Sequence, residues 1–218
     1  GMFENIRKVV LYLLSDAFTE IFLIIGSLLL KLPLPLTAAQ ILWINILNDG
    51  IPNIALALEP KEGNVMAEPP RHKDTPIISF TGKLLIGIVS TLKAGIGLIV
   101  FVIMYWSTKD AALSQTATFA TIAVASFFYI FSLRHFRTGI FRSQPFRNPW
   151  LIGAIGIGMI ILFGAIYSHV GNIYLGTRPL AGSVWVMVGA SGLVLLGCIE
   201  LLKVVIHKKH LIPRGSII

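Results

Sequence analysis

Three stretches of the chain, 111–133, 148–177 and 179–199, contain no Lys, Arg, Asp or Glu. Each is long enough, or nearly so, to cross roughly 30 Å of hydrocarbon as an α-helix. A soluble domain must cover its surface with charge, but charged residues make up only 13% of these 218 residues and hydrophobic residues 55%. The proportions exclude a soluble domain and a disordered chain, and the single cysteine, Cys198, excludes a disulfide scaffold.

Three further segments, at about 6–30, 37–58 and 82–106, are apolar but carry isolated polar groups. None of the runs alternates between apolar and polar residues, as the strands of a transmembrane barrel do. The sequence therefore predicts an all-α, polytopic membrane protein. Its six transmembrane helices are expected at about 6–30, 37–58, 82–106, 112–133, 149–168 and 183–206.

The positions of the basic residues predict the orientation of these helices. Lys and Arg accumulate in cytoplasmic loops, and 14 of the 18 fall on one side if both termini are cytoplasmic. The opposite side carries only Lys31, Lys109 and Arg178, and Lys93 lies inside the third helix. Topology thus accounts for the net charge of +8, and no nucleic-acid partner is expected.

The segments group into four regions. Residues 1–58 form a helix pair with the candidate ion site, 59–81 a cytoplasmic linker, 82–206 a four-helix membrane scaffold and 207–218 a basic cytoplasmic tail. The first helix contains acidic residues and no cleavage site follows it, which argues against a secretory signal. We expect an integral, multi-pass protein of the plasma membrane, and the start at Gly1 rather than Met suggests a fragment.

Acidic and amide side chains occupy the first two helices at positions that can meet. Glu20 lies one helical turn after Asp16, and Asn45, Asn48 and Asp49 lie close together on the second helix. The turn between the helices is short, so the two helices are expected to be antiparallel neighbours. Ionisable groups inside a membrane are costly, and by default they indicate a functional site.

The backbone after Asp49 strengthens this interpretation. Gly50 is a weak helix former and Pro52 has no N–H group, so the carbonyl of Asn48 loses its helical partner. Breaks of this kind supply carbonyl oxygens to ions in transporters. The site would offer the carboxylates of Glu20 and Asp49, the amide oxygens of Asn45 and Asn48, and this free carbonyl. Oxygen ligands of this kind suit a hard cation, namely Ca²⁺, Mg²⁺, Mn²⁺, Na⁺ or H⁺. The alternative is that the polar groups only bond to one another and hold two helices together.

Two further charged residues have two interpretations each. Asp16 is either an entrance group, one turn nearer the cytoplasm than Glu20, or a solvated residue. Lys93 lies about 18 Å along its helix from Thr81, so reaching the surface would strain its side chain. It is either a tethered counter-ion that pairs with Asp49 or Glu20, or a lysine bonded to helix carbonyls or to a water pocket.

Several motifs follow one another in a fixed order over the first 60 residues. They are Tyr12-Leu13-Leu14-Ser15 with Glu20, Leu32-Pro33-Leu34-Pro35-Leu36-Thr37, Gln40-Ile41-Leu42-Trp43-Ile44-Asn45, Asn48-Asp49-Gly50-Ile51-Pro52 and Ala55-Leu56-Ala57-Leu58-Glu59-Pro60. In order and spacing they resemble the fifth and sixth transmembrane helices of P-type cation-transporting ATPases, in particular the calcium-pump-like type II group. The later helices are similar to that family in number and in loop charge, so the resemblance covers the whole chain.

The resemblance also implies the residues of the ion site. Glu20, Asn45 and Asp49 fall on the family's cation ligands, and Asn48 stands where calcium pumps usually have Thr. Ala17 stands where those pumps usually have a ligand Asn, and the fourth helix lacks the carboxylate that two-calcium pumps carry there. The resemblance therefore implies one metal site, formed by Glu20, Asn45, Asn48 and Asp49.

The function implied by the resemblance is that of the transmembrane cation-binding half of an ATP-driven pump. Ca²⁺ is the first expectation for the transported ion, with Mn²⁺, Na⁺ or H⁺ as alternatives. The partners would be the lipid bilayer and the pump's first four helices and cytoplasmic domains, where ATP and Mg²⁺ would bind. The family's phosphorylation motif, Asp-Lys-Thr-Gly-Thr, is missing from this sequence, so the chain alone is not expected to hydrolyse ATP. The rival functions are a stand-alone channel or secondary carrier, and a structural membrane module that binds no ion.

Overall fold

Every regular element that the structure describes is helical. The computed structural model describes residues 2–48, 50–57, 78, 80–134 and 148–208. Its long helices are α1 (Met2–Leu29), α4 (Phe80–Thr108), α5 (Ala111–Arg134), α6 (Pro149–Tyr167) and α8 (Gly182–Lys208). Each of these five is long and apolar enough to cross a membrane. The predicted all-α class is therefore confirmed within the described ranges.

The second predicted span, 37–58, is divided into shorter elements. It consists of α2 (Ala38–Trp43), a π-helix (Ile44–Asn48) and α3 (Gly50–Ala57). The irregular winding begins at Ile44, six residues before Gly50, where the sequence predicts a broken helix. Most of the predicted linker 59–81 and of the predicted tail 207–218 lies outside the described residues.

The central helix of the bundle is α5. It packs against α4 and α8, and most of its apolar span is buried. Thr118 and Thr121 donate from their hydroxyl groups to carbonyls four residues earlier in α5, at 2.9 and 2.8 Å, which satisfies these buried groups locally. α1 in turn packs on α4, so the helix that carries Glu20 is held against the scaffold.

Large apolar side chains cover much of the outside of α6 and α8. Trp150 and Ile160 on α6 are 76% and 72% exposed, and Val186 and Leu201 on α8 are 72% and 68% exposed. Exposed apolar surface of this extent is avoided in soluble monomers because its contact with water is unfavourable. The outer face of these two helices is therefore suited to contact with lipid.

A short helix, α7 (His169–Leu175), docks on the beginning of α2. The carbonyl of Leu175 accepts hydrogen bonds from Thr37 Oγ1 at 3.3 Å and from Gln40 Nε2 at 3.2 Å. The same two side chains form the capping box of α2, in which each accepts a hydrogen bond from the other's backbone N–H. The start of the helix that leads to Asn45 is therefore fixed in position.

The junction of α6 and α7 has no room for a side chain at Gly171. A Cβ atom there would lie 2.1 Å from the carbonyl oxygen of Ala165. A backbone carbonyl cannot relieve such a clash by changing rotamer, as a side chain can. We expect Gly171→Ala to lower the free energy of unfolding by about 1–3 kcal/mol. Gly153→Ala is the control, because a Cβ there meets nothing within 4 Å. Equal thermal midpoints of the two variants in detergent would contradict this account.

Candidate cation site

Glu20 and Asn45 meet between α1 and the π-helix. The Asn45 Nδ2 atom donates to both carboxylate oxygens of Glu20, at 3.0 Å each, and to the carbonyl of Ile41 at 2.9 Å. Glu20 is 8% exposed, while Asn45 lies at the surface of the described bundle. The structure thus brings together the carboxylate and the first of the amides that the sequence proposed as ligands.

The π-helix places Asn45 in an irregular part of the chain. A π-helix is wider than an α-helix because its hydrogen bonds span five residues, and single turns of this kind are frequent at functional sites. α3 begins directly after the interruption, and Pro52 in its first turn cannot donate to the carbonyl of Asn48. The backbone around the candidate site is therefore well placed to offer carbonyl oxygens to an ion.

The other two proposed ligands lie at the edge of what the structure describes. Asn48 ends the π-helix, and its side chain is outside the described part, as is the whole of Asp49. Among the described residues, no three His, Cys, Asp or Glu side chains lie close enough to hold a metal ion together. A cation at Glu20 would therefore also need amide and carbonyl oxygens, or the carboxylate of Asp49.

Asn53 on α3 is a buried polar residue that the sequence analysis did not single out. Its side chain is 7% exposed, and neither its Oδ1 nor its Nδ2 atom has a hydrogen-bond partner among the described residues. Buried amides are nearly always paired, so an unpaired one calls for an explanation. The repeated spacing of four from Asn45 to Asp49 to Asn53 is the sequence signal that could have identified it.

We expect Asn53→Leu to raise the free energy of unfolding by about 1–3 kcal/mol, because leucine removes a buried amide that has no partner. Asn148→Leu is the matched control and should lower stability by about 1 kcal/mol. Asn148 is also buried, but its Oδ1 atom accepts from the N–H groups of Trp150 and Leu151 at the start of α6. Thermal unfolding in detergent separates the two results, and a lower midpoint for Asn53→Leu would show that the amide is satisfied.

Asp16 and Lys93 form an ion pair with each other in the interior. The Lys93 ammonium group contacts Asp16 Oδ1, and the two side chains are 0% and 1% exposed. From the sequence, Lys93 is expected either to pair with Asp49 or Glu20 or to bond to helix carbonyls or a water pocket. Asp16 is expected to be either an entrance group or a solvated residue. The structure instead joins the two residues because α4 packs along α1 at the level of Asp16.

Comparison with known proteins gives a consistent set of relatives. The family described as "Cation transporting ATPase, C-terminus" matches residues 33–205. A calcium-transporting ATPase of Bacillus subtilis (strain 168) is 38% identical over 191 residues, which cover 86% of this chain and 21% of that protein. Calcium-transporting ATPase 1 of Saccharomyces cerevisiae is 33% identical over 168 residues, which cover 77% of this chain and 18% of that protein. The chain therefore spans about a fifth of the length of these curated relatives.

The family match and the architecture agree. The matched residues include the π-helix, α3 and nearly all of the scaffold up to α8. Five apolar helices and a lipid-compatible outer surface are what the membrane part of a cation pump requires. The chain is an integral, multi-pass membrane segment, and it belongs to the family formed by the C-terminal region of P-type cation-transporting ATPases.

Proposed function

We propose that the chain is the cation-binding C-terminal half of the transmembrane domain of an ATP-driven pump. The pump carries a hard cation, Ca²⁺ in the first instance, across the plasma membrane. The observation that carries this proposal is the contact between Glu20 of α1 and Asn45 of the π-helix. Two separate elements bring a carboxylate and an amide together beside an interrupted helix, which is where transporters bind ions.

Each proposed ligand has a distinct role. Glu20 and Asp49 supply negative charge, and Asn45 and Asn48 supply neutral amide oxygens. The Asn45 amide directs its NH₂ group at Glu20, so a cation bound at Glu20 requires the amide to turn and present its oxygen. A set made only of oxygens favours hard cations, and the names of the Bacillus and Saccharomyces relatives support Ca²⁺.

The rest of the pump supplies the energy. We propose that ATP and Mg²⁺ bind in parts of the protein outside this chain, and that phosphorylation there changes access to the site through α1. In this arrangement α2, the π-helix and α3 together cross the membrane, which gives six crossings and places both termini in the cytoplasm. The partners of the chain are then the lipid bilayer, the preceding four helices and the cytoplasmic domains.

Equilibrium binding of radiolabelled Ca²⁺, Mn²⁺ and Na⁺ to the purified full-length pump tests the proposal. We expect saturable Ca²⁺ binding that Asp49→Asn abolishes and Asn45→Leu weakens. Asp110→Asn is the matched control, because Asp110 precedes α5, far along the sequence from the site, and asparagine can accept the hydrogen bond from the N–H group of Leu113 (3.1 Å) as aspartate does. We expect that variant to bind Ca²⁺ as the wild type does.

Three results would contradict the proposal in different ways. Unchanged Ca²⁺ binding by Asp49→Asn and Asn45→Leu would exclude these residues as ligands. A wild-type pump that binds none of the three metals, yet whose ATP-driven activity depends on Asp49 and on pH, would exclude a metal cargo and favour H⁺. Cation flux without any ATP requirement would instead support a channel or a carrier.

A further inference from the structure

A closed polar triad lies inside the bundle, separate from the contact between Glu20 and Asn45. It consists of Asp16 on α1, Lys93 on α4 and Ser126 on α5. The Lys93 ammonium group contacts Asp16 Oδ1 and donates to Ser126 Oγ at 2.7 Å, and the Ser126 hydroxyl donates to Asp16 Oδ2 at 2.7 Å. All three side chains are at most 1% exposed, so the triad is enclosed by the three helices.

The ammonium group of Lys93 lies deep inside the helix bundle. Lys93 lies 13 residues after Phe80, the first residue of α4, which is about 20 Å along the helix. Its ammonium group also lies 5.7 Å from the centre of the Tyr129 ring, and that ring stacks on Tyr12. The side chain is therefore coordinated in the interior by a carboxylate, a hydroxyl and an aromatic face, and it does not extend to water.

Ser126 is used differently from its neighbours on α5. Thr118 and Thr121 donate to carbonyls of their own helix and make no hydrogen bond to another helix within the described ranges. Ser126 Oγ also lies 3.0 Å from a carbonyl of its own helix, that of Ile122, but in addition it is within hydrogen-bond distance of charged groups on two other helices, Asp16 and Lys93. Its hydroxyl accepts from the cation and donates to the anion, which closes a ring of three contacts.

This arrangement has the chemistry of a cation-binding site. A carboxylate oxygen and a hydroxyl oxygen are hard ligands, and the single negative charge of Asp16 balances one positive charge. We propose that Asp16 and Ser126 form a monovalent-cation site whose permanent occupant is the tethered ammonium group of Lys93. Asp16 Oδ1 contacts this occupant and Asp16 Oδ2 accepts from Ser126, so we expect that Asp16 is not a ligand of the transported ion. The inference concerns the fold, and it holds or fails independently of what the pump transports.

Replacement of Lys93 by alanine tests the site, because a free cation can then bind where the ammonium group was. Thermal unfolding of Lys93→Ala would be measured in detergent on the full-length protein, in choline, ammonium, potassium or sodium chloride at equal ionic strength. In choline chloride we expect a midpoint about 10 °C below that of the wild type. We expect at least one of the three small cations to restore several degrees with a saturable dependence on its concentration. The recovery is the gain of Lys93→Ala beyond any shift of the wild-type midpoint in the same salt, so that an effect of a transported ion is subtracted.

A second buried lysine provides the matched control. Lys203 on α8 is 3% exposed, contacts Glu200 at 2.6 Å and donates to the carbonyl of Ser132 on α5. Lys203→Ala should lose stability but recover much less in the small cations, because the Glu200 side chain is 17% exposed and water can solvate its charge, whereas the Asp16 side chain is 1% exposed. The double variant Asp16→Asn with Lys93→Ala should also fail to respond, because the anionic ligand is gone.

The proposal is overturned if Lys93→Ala responds to none of the three cations, or if Lys203→Ala and the double variant respond equally well. If the Lys93→Ala protein does not accumulate, the double variant Asp16→Asn with Lys93→Met, here called the neutral pair, provides the test. This pair buries no charge, so we expect it to accumulate and to unfold near the wild-type midpoint. Failure of the neutral pair to accumulate would show that the triad is not a self-contained charge-balanced unit, and would overturn the proposal.

Discussion

Replacement of Glu20 by Gln is expected to lower the affinity of the pump for its transported cation by on the order of 100-fold, which corresponds to about 2.7 kcal/mol. Glutamine has nearly the same shape but no charge, and the charge of the ligands is a main determinant of affinity for hard cations. In the wild type, Asn45 Nδ2 donates to both carboxylate oxygens of Glu20 at 3.0 Å. In the variant, the amide oxygen of the glutamine can still accept one of these hydrogen bonds. The fold should therefore survive.

Binding isotherms with radiolabelled Ca²⁺ measure this effect, and thermal unfolding of the same samples checks the fold. Asp110→Asn is again the control, and it should bind with wild-type affinity. An affinity of Glu20→Gln within threefold of the wild type would mean that Glu20 is not a ligand. The contact with Asn45 would then serve only to join α1 to the π-helix.

Replacement of Asp16 by Asn is expected to cost about 3–5 kcal/mol of stability, because it leaves the buried ammonium group of Lys93 without a counter-charge. Lys93 is fully enclosed and lies too deep in α4 to reach water without strain. The same variant should change the affinity for the transported cation by less than threefold, since Asp16 is engaged within the triad. Glu20→Gln is expected to lower the cation affinity and to leave the fold intact, so the two measurements distinguish Asp16 from Glu20.

Asp110→Asn is the matched control for this substitution. Asp110 Oδ1 accepts from the N–H group of Leu113 at the start of α5, and asparagine caps a helix as well as aspartate does. We expect its thermal midpoint to stay within about 2 °C of the wild type. If the thermal midpoint of Asp16→Asn also stayed within about 2 °C of the wild type, another group would have to stabilise the buried charge of Lys93. The ion pair with Asp16 would then contribute little to stability.

The sequence predicts the elements of the site better than its interior geometry. Two apolar segments and the short turn between them suffice to predict that α1 and the second span are neighbours, and hence that Glu20 can meet Asn45. The π-helix is not predictable in this way, because a single turn of five residues is too short for its apolar period to be recognised in the sequence. Sequence reasoning predicts only a break near Gly50, while the irregular part begins at Ile44.

The partner of Lys93 shows a second limit. The depth of the residue follows from its position in a helix, but its partner depends on how α4 packs along α1, and a single sequence carries no record of that packing. Asp16 and Lys93 are 77 positions apart, with the whole second span between them. Ser126 was missed for a related reason, since a lone serine in an apolar helix most often bonds to its own backbone.

The anchored start of α2 determines where movement near the site can occur. Thr37 and Gln40 are both bonded to the carbonyl of Leu175, so the start of α2 resists rotation. The π-helix that follows contains one residue more than α-helical winding needs. Loss of that extra residue to an α-helical turn would rotate α3 by about 100° around the axis. We therefore expect any such rewinding to displace α3 and not the anchored start of α2.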